Sequence, residues 1–492
     1  MNYYLAFDLG AESGRAMLAG FDGQRLELRE ARRFPTGPVR VGDQLYWDAL
    51  RFWSEIQAGL ADAVKETGGG LASLGVDTWG VDFGLLDEAG TLIGNPSHYR
   101  DSRTNGMLEK AFARVPREQI YAETGIQFMQ LNSLYQLLAL QTSGSPALKI
   151  AQTFLNMPDL FNFWLSGRKA SEFTIATTTQ CFDPRQKRWA TGLLEKLEIP
   201  AHLFQPVIQP ATILDLLLPS VAAETGSARI PVVAVGGHDT ASAVAAVPAE
   251  TDDFVYLSSG TWSLIGVELA QPLITPEALA CDFTNEGGLN NKIRFLKSIM
   301  GMWLLQECRR EWAKNGQTYS YDELSALAAS APAFQALISP GDAFFLAPGD
   351  MPARLQAFCR KTGQTVPQTP GEIVRCILES LALEYRNVVT HLRTLLGRPL
   401  TTLHIIGGGS RNRLLNQFTA DATGCRVVAG PVEATAIGNA LAQALALGHI
   451  GSLAEGRALV RRSFDVQTFE PGSSEAWEAA SNSSNLANAG IL

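Results

Sequence analysis

The residues best able to do chemistry in this chain are acids and hydroxyls that terminate short apolar runs. In Pro231-Val-Val-Ala-Val-Gly-Gly-His-Asp-Thr240 a buried-strand pattern breaks at two glycines and delivers His238, Asp239 and Thr240 to its end. The apolar helical run Ala241 to Val247 follows at once. A strand–turn–helix junction mounts a chemical group rigidly and exposes it. Asp239 is then either a cap for that helix, since Asp and Thr are good N-caps, or a general base. Alone, the cap is the plainer reading; the rest of the chain tips the balance.

A second such place is Asp8-Leu-Gly-Ala-Glu-Ser-Gly-Arg15, after the β-rich run Tyr3 to Asp8. It lacks the G-x-x-x-x-G-K-[ST] spacing of a Walker loop. It does have what a phosphate needs. Gly10 and Gly14 open backbone N–H groups to an anion, Ser13 adds a hydroxyl, and Arg15 adds a fixed charge. Asp8 is placed to hold Mg2+ through water, because Mg2+ gives up its waters reluctantly. The competing reading is a hairpin whose Asp and Gly serve only the turn. Tyr99-Arg-Asp-Ser-Arg-Thr104 is a polar cluster between apolar runs. It is either a solvated loop or a wall of a sugar pocket, where carboxylates accept from vicinal hydroxyls and guanidinium groups donate to them.

The elements that must carry these residues form a pattern. Tyr3–Asp8, Arg15–Phe21 and Arg25–Phe34 read as three strands with short turns, an antiparallel meander. Ala49, Trp53, Ile56, Leu60 and Val64 then recur at helical spacing until Gly68-Gly-Gly70, and Leu71–Asp77 reads as a buried strand leading into Thr78-Trp-Gly-Val-Asp82. A helix is expected over Asn156–Ser166, ended by Gly167, and a hydroxyl-rich loop or strand over Ala176–Gln180. After the polar joint Ala246–Asp253 the plan repeats: strand Phe254–Ser258, turn Ser259-Gly-Thr-Trp262, strand Ser263–Glu268, a further strand near Asn291–Leu296, and a helix over about Ser298–Trp312. Thr369-Pro-Gly-Glu372 is a capping box that opens a helix ended by Gly397. Leu403–Ile406 breaks into Gly407-Gly-Gly409, where backbone without side chains lets a flat adenosine lie close; alone, that triplet is a flexible turn. Arg426–Ala429 and the small-residue helix Ala434–Leu447 complete the second half. The Ser-, Asn- and Ala-rich end reads as a peripheral tail.

Bulk properties narrow the field. A chain of 492 residues with 46% hydrophobic and 18% charged residues folds into two or three ordinary globular domains. A net charge of −9 argues against nucleic acid or an anionic membrane as a main partner. The start Met1–Asp8 lacks a signal-peptide pattern and no apolar run is long enough to span a bilayer, so a cytoplasmic location is expected. The six cysteines include no C-x-x-C pair, which points to buried free thiols rather than zinc or redox work.

These blocks resemble the FGGY carbohydrate kinases. The likeness is carried by Asp8–Arg15, Gly75-Val-Asp-Thr-Trp-Gly-Val-Asp-Phe83, Tyr99–Gly106, Gly237-His-Asp-Thr240, Ser258-Ser-Gly-Thr-Trp-Ser263 and Ile406-Gly-Gly-Gly409, and it runs from Tyr3 to about Phe464. Thr78-Trp-Gly-Val-Asp82, Thr284-Asn-Glu-Gly-Gly288 and Gly430-Pro-Val-Glu-Ala434 look like the versions found in the L-rhamnulose kinase branch. The resemblance implies an α/β fold of two actin-like, ribonuclease-H-like lobes around a central nucleotide and sugar cleft. Residues 1–248 would form the sugar-binding lobe with the catalytic base and 249–465 the nucleotide lobe, with 466–492 as the tail.

It also implies ATP and Mg2+, and transfer of phosphate to the 1-hydroxyl of a ketose: L-rhamnulose first, L-fuculose or L-xylulose as alternatives. Carried over by position, Asp239 would be the catalytic base and Asp8 the Mg2+ residue. Gly80, His238, Asp239, Thr240 and Ser298 would contact the sugar; Ala11, Glu12, Ser13, Gly14, Arg15, Thr261, Gln306 and Gly408 would contact ATP. Ser298 departs from the Asn expected there, and a shorter hydroxyl reshapes the pocket. A non-catalytic sugar sensor on this fold would lose Asp8, Asp239 or Thr261, and all three are present. A filament or chaperone ATPase has no need of the His238-Asp239 block. The expected partners are a small ketose and ATP, with the chain a monomer or homodimer, since the helix face Tyr46–Val64 serves a core or a dimer equally well.

Overall fold

The computed structural model describes residues 1–482; positions 483–492 of the expected tail lie outside the described residues. By contacts the chain divides into two units that are not consecutive along the sequence. The first comprises Met1–Glu250, Glu268–Phe295 and Ala434–Ser463; the second comprises Thr251–Val267, Leu296–Glu433 and Phe464–Leu492. Helices include α1 (Ala49–Thr67), α2 (Met157–Ser166), α3 (Phe173–Thr178), α4 (Asp239–Ala245), α5 (Trp303–Lys314), α6 (Pro370–Leu396) and α7 (Ala434–Ala446).

The first unit is organised on strands β1 (Asn2–Leu9), β2 (Ser13–Phe21), β3 (Leu26–Pro35), β4 (Leu71–Thr78), β5 (Thr212–Leu216) and β6 (Pro231–Ala234), in the order β5-β6-β4-β1-β2-β3. β1, β2 and β3 form the expected antiparallel meander, and β1, β4 and β6 run parallel. Parallel neighbours end at the same edge, so whatever follows them is gathered there. α1 is capped by Asp48, which accepts from Arg51 N, and stops at Gly68 in a left-handed conformation (φ 61°). Its Phe52, Ile56 and Leu60 are buried with Phe7, Leu18 and Leu74 of the sheet. Each such side chain contributes roughly 1.5–3 kcal/mol by leaving water.

α7 is rich in small residues because it must come close. A Cβ on Gly438 would stand 1.7 Å from the Ser242 carbonyl oxygen of α4. α7 also sets a buried polar ladder against the sheet: Gln443 donates to the Leu5 carbonyl at 3.0 Å and accepts from Ser73 Oγ at 2.7 Å.

The remaining strands are β7 (Val255–Ser259), β8 (Trp262–Leu269), β9 (Thr284–Gly287), β10 (Ile293–Met300), β11 (Thr402–Ile406), β12 (Arg426–Ala429) and β13 (Gln467–Phe469), and the second unit's sheet runs β8-β7-β11-β12-β13. β7 pairs antiparallel with β8 and parallel with β11. In the second unit α6 begins at the Thr369/Glu372 capping box and ends at Gly397 (φ 62°).

Three local expectations change. Residues 173–178 are a short helix rather than a loop or strand, because Glu172 caps it by accepting from Thr174 N and Ile175 N. The strand expected near Asn291–Leu296 continues to Met300, which places Ser298 on a strand and starts α5 at Trp303. In the end region, β13 pairs with β12, and Glu475–Ser481 is a helix whose buried Trp477 packs edge-on against Phe418 at 5.4 Å.

The α4–α7 crossing leaves no room for a methyl group. Gly438→Ala is expected to cost about 1–3 kcal/mol or more in chemical denaturation, whereas Gly424→Ala, where a Cβ meets nothing within 4 Å, costs only the strain of its left-handed backbone.

Candidate active site

The two acids singled out in the sequence stand at the same edge of the first unit's sheet, Asp8 near the end of β1 and Asp239 just after β6, with β4 between those strands. Asp8 of β1 lies opposite Asp77 of β4 in parallel register. The chain leaving β6 comes alongside β4: Thr78 N donates to Gly237 O at 2.9 Å, and Thr78 forms a bridge with His238. Asp239 follows. Asp77 is fully buried and feels the charges of both Asp8 and Asp239. Burial, then the charge on Asp8, push its carboxyl well above the usual carboxylate range, while Asn439 of α7 opposes this by donating to Oδ2 at 2.6 Å. Asp77 Oδ1 has no hydrogen-bond partner among the described residues. Arg15 pairs with Asp8 from the adjoining strand.

This donor set suits a hard cation. Mg2+ takes oxygen ligands, is held through one or two carboxylates, and keeps several waters. Among the described residues no three His, Cys, Asp or Glu side chains converge into a cage, so a cation beside Asp8 would complete its shell with water and phosphate oxygens.

Asp239 does not cap α4. The N-cap residue is His238 (φ −79°, ψ 120°), with no side-chain cap bond, and Asp239 lies in the first turn. Its side chain is 30% exposed, Oδ1 accepts from Thr240 Oγ1 at 3.1 Å, and the same oxygen is 3.5 Å from His238 Nε2. The other ring nitrogen is held from behind. Arg294, fully buried, approaches His238 Nδ1 at 2.9 Å and pairs with Glu286 at 3.0 Å. Glu286 Oε2 lies 3.2 Å from the same Nδ1, so a donor and an acceptor both meet that nitrogen, while Nε2 faces Asp239. Burial pushes Glu286 up, but Arg294 and His238 outweigh it and hold the carboxyl below its usual range.

Gly80 lies against this ring: a Cβ there would come 3.4 Å from both His238 Nε2 and Thr178 Oγ1. Val81 next to it has φ 70°, rare for a β-branched residue. Its N–H donates to Thr178 Oγ1 at 3.2 Å and its carbonyl accepts from Ser133 Oγ. Strain held in place by its surroundings is a frequent mark of a working site. Asp82 accepts from Trp79 Nε1 at 2.9 Å, from Gln136 Nε2 at 2.9 Å and from Trp47 Nε1. Burial nonetheless pushes its carboxyl up to about 6, against those bonds. Arg103 donates to Gln136, and Asp101 and Thr104 are buried, so the cluster Tyr99–Thr104 is not a solvated loop.

The turn from β1 to β2 differs from the expectation in one respect. Gly14 is small because a Cβ would collide with the Phe34 ring at 2.3 Å, and the Gly10 N–H is used by Ser13 O at 3.0 Å. Neither glycine is there simply to expose an N–H group. Ala11 and Glu12 occupy the turn itself, and Ser13 opens β2.

The expected nucleotide residues Thr261, Gln306 and Gly408, and Ser298, belong to the second unit. Gly301 N and Trp303 N both donate to Thr261 O, at 3.1 and 3.2 Å, which pins that turn. Gln306, in the first turn of α5, has a buried Oε1 without a partner among the described residues. A Cβ on Gly408 would meet nothing within 4 Å, so backbone faces open space there; one on Gly409 would strike Ser259 Oγ at 2.0 Å. Ser298 is partly exposed on β10.

Residues 3–246 match the N-terminal domain of the FGGY family of carbohydrate kinases, and residues 255–447 match its C-terminal domain. The chain belongs to the FGGY family of carbohydrate kinases. A protein of Bacteroides thetaiotaomicron named rhamnulokinase is 48% identical over 97% of this chain and 97% of its own length. Another of that name, from Halalkalibacterium halodurans, is 42% identical over 95% of this chain and 99% of its own. Among solved structures, a ligand-bound xylulose kinase from Lactobacillus acidophilus has a TM-score of 0.81 at 16% identity, covering 100% of this chain and 98% of its own; it speaks for the mixed α/β two-domain fold alone.

In this FGGY kinase several residues of the first unit escaped sequence reasoning. Asp77 carried a usable signal, since an acid closing an apolar strand is rarely buried without a task. Glu286 lay inside the Thr284–Gly288 block but was given no role there, and Asn439 and Arg294 carried no signal: each is brought in from a distant segment by folding.

Asp82 takes up a proton as the pH falls through about 6, and loses acceptor strength toward the Trp47 and Trp79 indoles. Tryptophan emission should therefore titrate with that midpoint, and the step should be absent in Asp82→Asn.

Proposed function

We propose that this FGGY kinase transfers the γ-phosphoryl group of ATP to the 1-hydroxyl of a ketose, and that the ketose is L-rhamnulose. The observation that carries the reaction is a partly exposed carboxylate, Asp239, which is not engaged in capping its helix and lies beside His238. The near-full-length relatives named rhamnulokinase support the choice of sugar.

In this reading Asp239 accepts the proton of the sugar's 1-hydroxyl as that oxygen attacks phosphorus. His238 presents Nε2 and Thr240 supplies a hydroxyl, while Gly80 leaves room for the sugar. Phosphoryl transfer asks little covalent work of a protein; positioning and charge neutralisation dominate. Arg15 and Thr261 bind the transferred group, Ala11 to Gly14 line its approach, and Gln306 and Gly408 receive the nucleoside. Mg2+, held through Asp8, would neutralise the β- and γ-phosphate charge.

L-Rhamnulose ends in a methyl group. An apolar surface at that end rejects an added hydroxyl by only about 10²-fold, and Ser298 in place of Asn removes reach on the sugar side. L-Fuculose and L-xylulose are therefore secondary substrates in this reading.

Asp239→Asn is expected to lower turnover by about 10²–10⁴-fold, the usual worth of a general base, with sugar and nucleotide binding retained in calorimetry; full activity in this variant would remove Asp239 as the base. A panel of ketoses in an ADP-release assay should give turnover that needs added sugar, with L-rhamnulose first by kcat/KM. ADP release unaffected by any ketose would overturn the reading.

A further inference from the structure

We propose that Glu172, acting partly through Thr174, is a positioning residue that grips the backbone leading into α4 and so aims Asp239. This rests on the reading of Asp239 as the base. Glu172 precedes α3 and is fully buried. Its carboxylate accepts from Thr174 N at 2.9 Å and Ile175 N at 3.2 Å, which caps α3. The same group reaches across to the catalytic junction and accepts from Gly237 N at 2.9 Å. Thr174 Oγ1 donates to it at 2.6 Å and in turn accepts from His238 N at 3.2 Å. One carboxylate and one hydroxyl thus bind the two consecutive N–H groups ahead of Asp239.

A role confined to the cap does not explain these contacts. Asp, Asn, Ser and Thr are the usual N-caps, whereas Glu supplies the extra length needed to serve α3 and the junction together. The junction is shaped to fit: a Cβ on Gly237 would lie 2.9 Å from Glu172 Oε2 and 3.2 Å from Pro158 Cγ. With the Gly237 N–H spent on Glu172 and the His238 N–H on Thr174, the turn cannot rotate without breaking a buried bond, and a displacement of about 1 Å at a reacting group costs on the order of 10²-fold in rate.

The grip needs the ionised form, because the converging N–H and O–H groups all donate and a protonated carboxyl would add a hydrogen among them. Burial pushes Glu172 up to about 7, against the hydrogen bonds from Thr174, Gly237 and Ile175. The titratable groups around it are Asp159 of α2, whose Oδ1 accepts from Glu172 N at 3.1 Å, and His238 on the junction itself. Burial, then the charge of Glu172, push Asp159 itself well above the usual carboxylate range, toward its neutral form. Loss of a proton from Glu172 as pH rises through about 7 therefore tightens the junction.

The test is steady-state kinetics of the full chain with ATP and ketose, comparing wild type, Asp239→Asn, Glu172→Gln, Thr174→Val and Thr174→Ser across neutral pH. Glu172→Gln should lower kcat about 10²-fold, leave both KM values near wild type, and abolish the acid limb near pH 7. Wild-type kcat, a loss carried by KM, or an unchanged acid limb would overturn the proposal. Should Glu172→Gln fail to fold, Thr174 decides: Thr174→Val should lose kcat while Thr174→Ser, which keeps the hydroxyl, retains it, and equal behaviour of the two would overturn the proposal. An active Asp239→Asn would instead defeat the assignment of the base, which is a separate failure.

Discussion

The first unit is governed by the crowding of carboxylates at one edge of its sheet. β1, β4 and β6 run parallel and end together, so Asp8, Asp77 and the Asp239 junction are delivered to the same place. Charge of one sign in a poorly solvated site is costly unless neutralised. The surroundings answer in different ways: Arg15 pairs with Asp8, Asn439 donates to Asp77, and burial biases Asp77 toward its neutral form. What remains is an edge on which Asp239, of these three acids, is the one left partly exposed. A fold that ended these strands at different levels would have neither the strain nor the use of it.

Around that edge the positioning is layered. His238 is held by Arg294 and Glu286 from behind, Gly80 leaves space beside its ring, and Val81 is locked in a conformation that its own side chain disfavours. Asp82 ties two indoles and Gln136 together beneath that turn. Several of these supports are polar contacts brought from other segments of the chain. Sites built this way trade stability for orientation: buried acids such as Asp82, Asp159 and Glu172 are all pushed toward their neutral forms, a cost the surrounding core must offset.

Much of the scaffold was readable from residue spacing. The meander, α1 with its Gly68 stop, and the Thr369/Glu372 capping box of α6 follow from local rules and appear as expected. The failures were local rules outvoted by distant contacts. Ala176–Gln180 read as a hydroxyl-rich loop or strand, yet the Glu172 cap makes Phe173–Thr178 helical and leaves only Thr179 and Gln180 in a turn. Gly14 looked like a phosphate glycine, but the ring of Phe34 is what excludes its side chain. The excursions 268–295 and 434–463, which pack with the first unit, leave no mark in composition. The acids at strand ends were legible; the residues that hold them in position were not, because Glu172, Glu286, Arg294 and Asn439 acquire meaning only from partners far along the chain.

The central claim is that this carboxylate edge serves phosphoryl transfer to a sugar hydroxyl at carbon 1. The most direct measurement is phosphorus NMR of the product made from ATP and L-rhamnulose labelled with carbon-13 at C1. The account predicts a phosphomonoester resonance coupled to the labelled carbon, formed by the wild type and nearly absent with Asp239→Asn. Inorganic phosphate as the sole product, or an ester on a different carbon, would contradict it.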